Sequence, residues 1–249
     1  MKEQIDTIPV NEAYDSTDEC PFCYLQRQTE QRAIRYTAGP GASYMEPEVR
    51  GATDSQGFCA AHFKKLYDYG NSLGNALMMQ TYLIGLRKEM DRQLNDFELP
   101  AKKTLFGKKE TPQLPLAAWL KEKNNSCFLC SKVAYNMRRY YATFFYLIKD
   151  EKFRRKVEAS KGLCLRHMEA LLQSAQEHLP NAQREWFYAT LADLQRKNFA
   201  RVQEDLDWFI EKFDYRNAAA DWKNSKDAVS RTMQKLTGIY PADPPYKQN

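Results

Sequence analysis

The chain has 249 residues, of which 43% are hydrophobic and 28% are charged, with 37 basic and 32 acidic side chains. The hydrophobic fraction suffices for a core in one large or two smaller domains, and the formal charge of +5 is mild. Glycine and proline are few, and no apolar run approaches the length of a membrane span. The lack of a long apolar run argues against a membrane-spanning chain, and the composition favours an almost all-helical protein over a sheet-rich one.

Helical periodicity and the positions of chain breakers predict four helices in the first half. They cover about 20–36, a short stretch within 38–51, about 58–69 and 72–97. Pro21 suits the first turn of the first helix, and Gly57 opens the third. Residues 72–97 carry large apolar side chains at helical spacing, so we expect a long amphipathic helix that forms the core with its counterpart in the second half.

A basic stretch with several prolines, 98–115, is expected to connect the two halves. The helices predicted after it are about 127–148, a short helix from 152, one from 164, a long one that ends near 213, and 225–236. In the last helix we expect Val229, Met233 and Leu236 to face inward. The tail, 239–249, is expected to be irregular.

All six cysteines and two of the three histidines fall into one arrangement that occurs twice. The first copy is Cys20, Cys23, Cys59 and His62, and the second is Cys127, Cys130, Cys164 and His167. The interval between the two ligand pairs is 36 positions in the first copy and 34 in the second. This internal repeat predicts two homologous units, 1–97 and 116–238, joined by 98–115 and followed by the tail.

Each copy has the donor set of a metal site. Three thiolates and one imidazole suit tetrahedral Zn²⁺, and four protein donors leave no open coordination position. We therefore expect two structural zinc ions per chain, each held by the four ligands of one half. In each half, both ligand pairs are expected to lie at helix starts, where the helix dipole favours thiolates.

Other uses of the cysteines are less consistent with the pattern. An iron–sulfur cluster with one histidine ligand is the main alternative to zinc. Disulfides fit an even count, but residues 1–18 are polar and have no apolar signal segment, so a reducing cytoplasm is expected. A thioredoxin-like role does not explain a histidine three residues after the third cysteine in both copies. His178 has no such context and is expected to be an ordinary residue at a helix end.

The doubled motif resembles that of a known family. Together with the late Phe213-Asp-Tyr-Arg216, Trp222 and the segment 225–238, it is similar to DUF6062, an uncharacterised family found in anaerobic bacteria, mainly Firmicutes. The resemblance covers about 20–238 and implies a cytoplasmic bacterial protein. It implies no particular activity or substrate.

We predict an all-α helical bundle built from two zinc-stapled repeats, acting as a non-catalytic interaction or scaffold protein with an unknown protein partner. Catalysis is left open but disfavoured. The sequence His167-Met-Glu169 is similar to the His-x-Glu of zinc deaminases, but there it precedes the Cys-x-x-Cys motif and the fourth donor here takes the place of the reactive water. Glu169 is therefore expected to be a solvated carboxylate on a helix.

Nucleic-acid binding is one alternative. Basic side chains with tyrosines nearby could contact phosphates and stack on bases. They are Lys102, Lys103, Lys108, Lys109, Arg138, Arg139, Lys152, Arg154, Arg155 and Lys156, with Tyr135, Tyr140 and Tyr141. The near balance of basic and acidic residues indicates that such charge runs are more typically solvated helix faces.

Zinc or redox sensing is another alternative, in which oxidation of the thiolates ejects the metal and loosens the bundle. Arg166 adjoins the second site and could offset its negative charge, whereas Ala61 takes the corresponding place in the first. On this basis we expect Cys20, Cys23 and Cys59 to be oxidised more easily than the cysteines of the second copy.

Overall fold

A computed structural model of the protein describes residues 2–41, 43–98 and 114–241, with side chains from residue 6 onward. Within these ranges the chain forms eleven α-helices, three short 3-10 helices and no strand. The α-helices are α1 (Lys2–Asp15), α2 (Pro21–Ala38), α3 (Pro47–Gln56), α4 (Ala60–Tyr69), α5 (Ser72–Asn95), α6 (Pro115–Asn125), α7 (Phe128–Leu147), α8 (Glu151–Ala159), α9 (Leu165–His178), α10 (Arg184–Glu211) and α11 (Ala228–Thr237). The predicted all-α class is confirmed.

The described residues group into two compact units. Unit one contains 2–29 and 134–241, and unit two contains 30–41, 43–98 and 114–133. These units do not coincide with the predicted halves, because α2 begins in unit one and ends in unit two, while α7 does the reverse. The internal repeat itself stays a prediction.

Unit one is built around aromatic side chains. The ring of Phe144 on α7 lies with its centroid 5.9 Å from Tyr14 and Phe22, 6.0 Å from Phe153 and 6.2 Å from Phe187. These rings come from five helices, α1, α2, α7, α8 and α10. Ring pairs of this kind stabilise a core by about 0.5–1.5 kcal/mol each beyond the burial of apolar area.

Unit two has a smaller core of aliphatic and aromatic residues. Ile34 of α2, Phe58 before α4, Leu66 of α4, Met78 of α5 and Leu129 of α7 are buried in one cluster. Leu129 lies two residues after the candidate ligand Cys127, and Phe58 directly precedes the candidate ligand Cys59. The core therefore holds the segments that carry the candidate ligands.

Two expectations about helix faces are wrong. Over most of its length α5 is not a core helix, since Gly74 and Met78 are its only buried residues. On α11 the apolar side chains of Val229, Met233 and Leu236 are 43–52% exposed, and the polar face is turned inward instead.

A buried charge network explains the orientation of α11. Lys235 is 1% exposed, and its Nζ donates a hydrogen bond of 2.6 Å to the backbone oxygen of Glu19. Arg231 Nη1 lies 2.8 Å from Asp205, and Arg201 Nη2 lies 2.6 Å from the buried Glu19 carboxylate. Because a buried carboxylate is costly without charged partners, these ion pairs outweigh the burial of three apolar side chains.

Two helices lie where none was predicted. They are α1, within the polar stretch 1–18, and α6, which begins at Pro115. Of the predicted connection 98–115, residues 99–113 lie outside the described part of the chain, as do residues 242–249 of the tail.

Candidate metal centres

The eight candidate ligands converge in two groups, but not in the predicted pairing. One group, here called the buried cluster, consists of Cys20, Cys23, Cys164 and His167. The other, here called the exposed cluster, consists of Cys59, His62, Cys127 and Cys130. In each group the four donor atoms lie within 4.8 Å of one another. Each Cys-x-x-Cys pair thus meets the Cys-x-x-His pair of the opposite half.

The course of α2 and α7 explains the crossed pairing. Both helices begin at a Cys-x-x-Cys pair, and with 18 and 20 residues they are about 27 and about 30 Å long. A continuous helix cannot fold back on its own first turn, so α2 leads the chain from Cys23 in unit one into unit two. There α4 begins with the Cys-x-x-His of the exposed cluster, while α7 returns the chain to unit one.

The donor atoms of the buried cluster are close to one another. Nδ1 of His167 lies 3.2 Å from the sulfur of Cys164, 3.3 Å from that of Cys23 and 3.6 Å from that of Cys20. The sulfurs of Cys23 and Cys164 are 3.6 Å apart. All four side chains are at most 2% exposed.

The exposed cluster has nearly the same dimensions. Nδ1 of His62 lies 3.2 Å from the sulfur of Cys127 and 3.3 Å from those of Cys59 and Cys130. The sulfurs of Cys59 and Cys130 are 3.8 Å apart. Cys127 and His62 are buried, whereas Cys59 is half-buried and Cys130 is exposed.

These separations fit a four-coordinate ion. Bonds of about 2.3 Å to sulfur and about 2.1 Å to nitrogen at tetrahedral angles give edges of about 3.8 Å between sulfurs and about 3.6 Å between sulfur and nitrogen. The measured edges, 3.6 and 3.8 Å between sulfurs and 3.2–3.6 Å to nitrogen, are close to these values. The sulfurs are too far apart for a disulfide, which needs about 2.05 Å.

A hydrogen bond orients the histidine of each cluster. Nε2 of His167 donates to Oε1 of Gln26 over 2.9 Å, and Nε2 of His62 donates to Oε1 of Glu30 over 3.0 Å. A proton held on Nε2 leaves Nδ1 free as a metal ligand and raises its basicity. Lys65 also donates to Glu30, so the exposed cluster has a charged outer partner.

The local backbone presents the cysteines at helix starts. Cys59 and Cys164 are the N-cap residues of α4 and α9, both in extended conformation. Gly57 and Gly162 precede them by two residues with φ of +59° and +72°, which L side chains rarely adopt. Backbone N–H groups also point at the sulfurs, since His167 N lies 3.4 Å from Cys164 and Cys130 N lies 3.4 Å from Cys127. Both features favour thiolates.

Hydrogen bonds within the metal-free buried cluster separate its thiol pKa values. Contacts from Cys20 and Cys23 lower the pKa of Cys164 to about 3, while hydrogen bonds to Cys164 and Cys20 raise the pKa of Cys23. One thiolate therefore accepts hydrogen bonds from neighbouring thiols. Those protons must leave when a metal binds, so binding is expected to depend on pH.

The contacts within the exposed cluster shift the pKa values of its histidine and of one cysteine. Burial opposes both charges, but hydrogen bonding with Cys127 and Glu30 raises the pKa of His62 to about 10. For Cys127, burial is likewise outweighed by the hydrogen bond from His62, and its pKa falls to about 6. Against burial, the contacts with His62 and Lys65 lower the pKa of Glu30 to about 2. These contacts thus favour the charged forms of His62, Cys127 and Glu30.

Sequence reasoning missed several residues that shape these clusters. Gln26 and Glu30 carry no spacing signal that links them to a histidine more than 30 positions away. Gly238 caps the end of α11, and a Cβ there would lie 3.3 Å from the sulfur of Cys164. Its φ of +78° is one that glycine adopts readily. The glycine that lies just after the last predicted helix is a common signal for such a helix end.

The remaining candidate residues lie elsewhere. Glu169 is exposed and accepts a hydrogen bond of 3.2 Å from Gln173, as expected for a carboxylate on a helix surface. His178 ends α9. Of the candidate basic patch, Arg139 pairs with Asp6 and Lys156 with Asp15, which reduces the charge offered to phosphates. The four lysines of 102–109 lie outside the described residues.

The fold and the donor sets define an all-α protein with two Cys₃His groups that could each hold a metal ion. Among the described helices, none is long and apolar enough to cross a membrane. The chain belongs to the DUF6062 family, described as a family of unknown function, whose model matches residues 1–243. Comparison with curated proteins and with solved structures gave no match.

Proposed function

We propose that the protein binds two zinc ions, one in each cluster, and that each ion fastens helix starts from opposite halves of the chain. The observation that carries this proposal is the convergence of four donors in each cluster at near-tetrahedral separations. The donor set favours zinc, because three thiolates and one imidazole match its ligand preference. The Nε2 hydrogen bonds to Gln26 and Glu30 support the same assignment.

The role proposed for these ions is structural. A bound zinc ion would supply charge neutralisation for the thiolates and fixed bonds between helices. The residues of the buried cluster would join the starts of α2 and α9, and those of the exposed cluster would join α4 and α7. Four protein donors complete the coordination shell, so neither cluster reserves a position for a substrate.

Metal analysis tests this assignment. Untagged protein purified without oxygen is analysed by inductively coupled plasma mass spectrometry and visible spectroscopy. About two zinc ions per chain and no colour are the expected result for two closed sites. Iron with inorganic sulfide and a brown spectrum would show that the clusters hold iron–sulfur centres and not zinc. The absence of any metal would refute the proposal.

We further propose that the protein acts through its surface, as a non-catalytic interaction or scaffold protein. Support comes from the closed donor sets, which suit metal ions that hold the chain together. Crosslinking followed by mass spectrometry in the source cells tests this role. A partner crosslinked to the native protein but not to a Cys164→Ser variant is expected, and crosslinks confined to the chain itself would contradict it.

A further inference from the structure

The two clusters differ most in the access of solvent to their sulfurs. In the buried cluster, Cys20 and Cys164 are 0% exposed and Cys23 is 1% exposed. In the exposed cluster, Cys130 is open to solvent and Cys59 is half-buried. Since oxidation of a cysteine requires both thiolate character and access, equal donor sets do not imply equal reactivity.

The two accessible sulfurs are also neighbours. Those of Cys59 and Cys130 lie 3.8 Å apart, and each lies 3.3 Å from Nδ1 of His62. Cys59 is the N-cap of α4, and Cys130 lies in the first turn of α7. A movement of about 1.8 Å would bring the sulfurs to the length of a disulfide bond.

We propose that Cys130 and Cys59 form an oxidation site for hydrogen peroxide that opens the exposed cluster and leaves the buried cluster intact. This inference rests on the proposed binding of zinc. It differs from the expectation based on Arg166, because the crossed pairing puts Arg166 beside the buried cluster and separates Cys59 from Cys20 and Cys23.

The chemistry is a two-electron thiol oxidation. Desolvation and the neighbouring Cys127 and Cys59 raise the pKa of the Cys130 thiol to about 12, so Cys130 reacts as the thiolate that a bound zinc ion would keep deprotonated. This thiolate attacks one oxygen of hydrogen peroxide, the O–O bond breaks, hydroxide leaves, and Cys130 carries a sulfenic acid. The thiolate of Cys59 then attacks that sulfur and expels a second hydroxide, which forms the disulfide. The two thiolates lose two electrons, and the peroxide takes them up to become two waters after gaining two protons. A dithiol reductant then reduces the disulfide back to the two cysteine thiols and is itself oxidised to a disulfide.

Disulfide formation removes two of the four donors. Cys127 and His62 remain, and two donors do not hold zinc against competing chelators. The new bond still joins α4 to α7, so unit two keeps a covalent link in place of the metal link. Release of one metal ion with little loss of helical structure is the signature that separates this site from general oxidative unfolding.

The experiment uses the full zinc-loaded chain with graded hydrogen peroxide. Zinc release is followed with a chromogenic chelator, and differential alkylation with mass spectrometry maps the cysteines. We expect early release of about one zinc per chain, a disulfide between Cys59 and Cys130, and oxidation of Cys164 slower by on the order of tenfold or more. A dithiol reductant with added zinc should restore the starting state. Equal release of both ions, or a first disulfide elsewhere, would overturn the proposal.

A variant that keeps four donors provides the control. Cys130→His removes the exposed sulfur and should slow zinc release from this cluster by about tenfold, since only the half-buried Cys59 remains for the first attack and the Cys59–Cys130 disulfide cannot form. The matched Cys23→His change alters the buried cluster, so it should not slow the release of zinc from the exposed cluster by peroxide. If Cys130→His binds only one zinc ion, the disulfide mapped in the unaltered chain decides whether Cys59 and Cys130 form the oxidation site.

The same experiment gives a different result if the proposed zinc binding is wrong. Protein without metal before treatment refutes zinc binding and, with it, the oxidation site that rests on zinc binding. Protein that holds two zinc ions but releases both together, or forms its first disulfide elsewhere, refutes the oxidation site alone.

Discussion

Gln26 and Glu30 lie one turn apart on α2, and each accepts a hydrogen bond from the ligand histidine of a different cluster. His167 donates to Gln26 over 2.9 Å, and His62 donates to Glu30 over 3.0 Å. The helix that begins with Cys20 and Cys23 therefore supplies ligands to one cluster and an outer partner to both. The two clusters differ in the charge of that partner, which is an amide in one and a carboxylate in the other.

Removing these acceptors should weaken one metal site at a time. Glu30→Ala is expected to lower the zinc affinity of the exposed cluster about 10- to 100-fold, because His62 loses the partner that fixes its tautomer. Gln26→Ala should do the same for the buried cluster, and Glu30→Gln should retain most of the affinity. Competition titration with a zinc chelator measures both sites, and an equal effect of one change on both would contradict the assignment.

Double variants test the crossed pairing. Cys20→Ser with Cys164→Ser removes two ligands of one cluster, so the chain should retain about one zinc ion. Cys20→Ser with Cys59→Ser removes one ligand from each cluster and should lower binding at both. Metal content after dialysis against a weak chelator distinguishes them. The opposite order, with more zinc lost by the first variant, would restore the pairing within each half.

Gly57 is predicted to be intolerant of a side chain. A Cβ there would lie 2.5 Å from a ring atom of Tyr82, and the φ of +59° is strained for alanine. Gly57→Ala should therefore destabilise the chain by about 3 kcal/mol in urea unfolding of the metal-loaded protein. Gly51→Ala, whose Cβ would meet nothing within 4 Å, is the matched control and should be neutral or stabilising.

The buried Lys235 is predicted to stabilise unit one through Glu19. Its Nζ lies 3.4 Å from the Glu19 carboxylate, and both side chains are at most 3% exposed. Lys235→Met should lower the free energy of unfolding by about 3–5 kcal/mol, because it leaves that carboxylate with fewer positive partners. The exposed Lys226→Met should change it by less than about 0.5 kcal/mol. Thermal and urea unfolding compare the two, and equal stability would show that the other positive partners of Glu19, which are Arg201, Arg231 and Lys161, suffice.

Chelation should remove the two ions in sequence. A moderate chelator is expected to take about one zinc ion quickly from the exposed cluster and the second slowly, with a lower unfolding temperature after each loss. Re-addition of zinc should restore both temperatures. Simultaneous release of both ions would mean that solvent access does not govern the rate.

Much of this protein could be predicted from local sequence. Cysteine and histidine three residues apart share one helical turn, so each ligand pair and its helix start follow from local spacing. The eight candidate ligands and most helices, including α4 and α9, were predicted in this way. The apolar periodicity of α7 likewise agrees with burial of Met137, Tyr141 and Phe144.

Tertiary structure decided which ligand pairs meet. Spacing along the chain does not show where the far ends of two long helices lie. Because of α2 and α7, each Cys-x-x-Cys pair meets the Cys-x-x-His pair of the other half. The same holds for α11, where the need of the buried Glu19 for positive charge turns Arg231 and Lys235 inward against the apolar pattern. The sequence by itself determined the candidate donors and their local geometry, because these depend on near neighbours. Pairing, access and outer partners depend on contacts between residues distant in the chain, and only the folded structure supplies those.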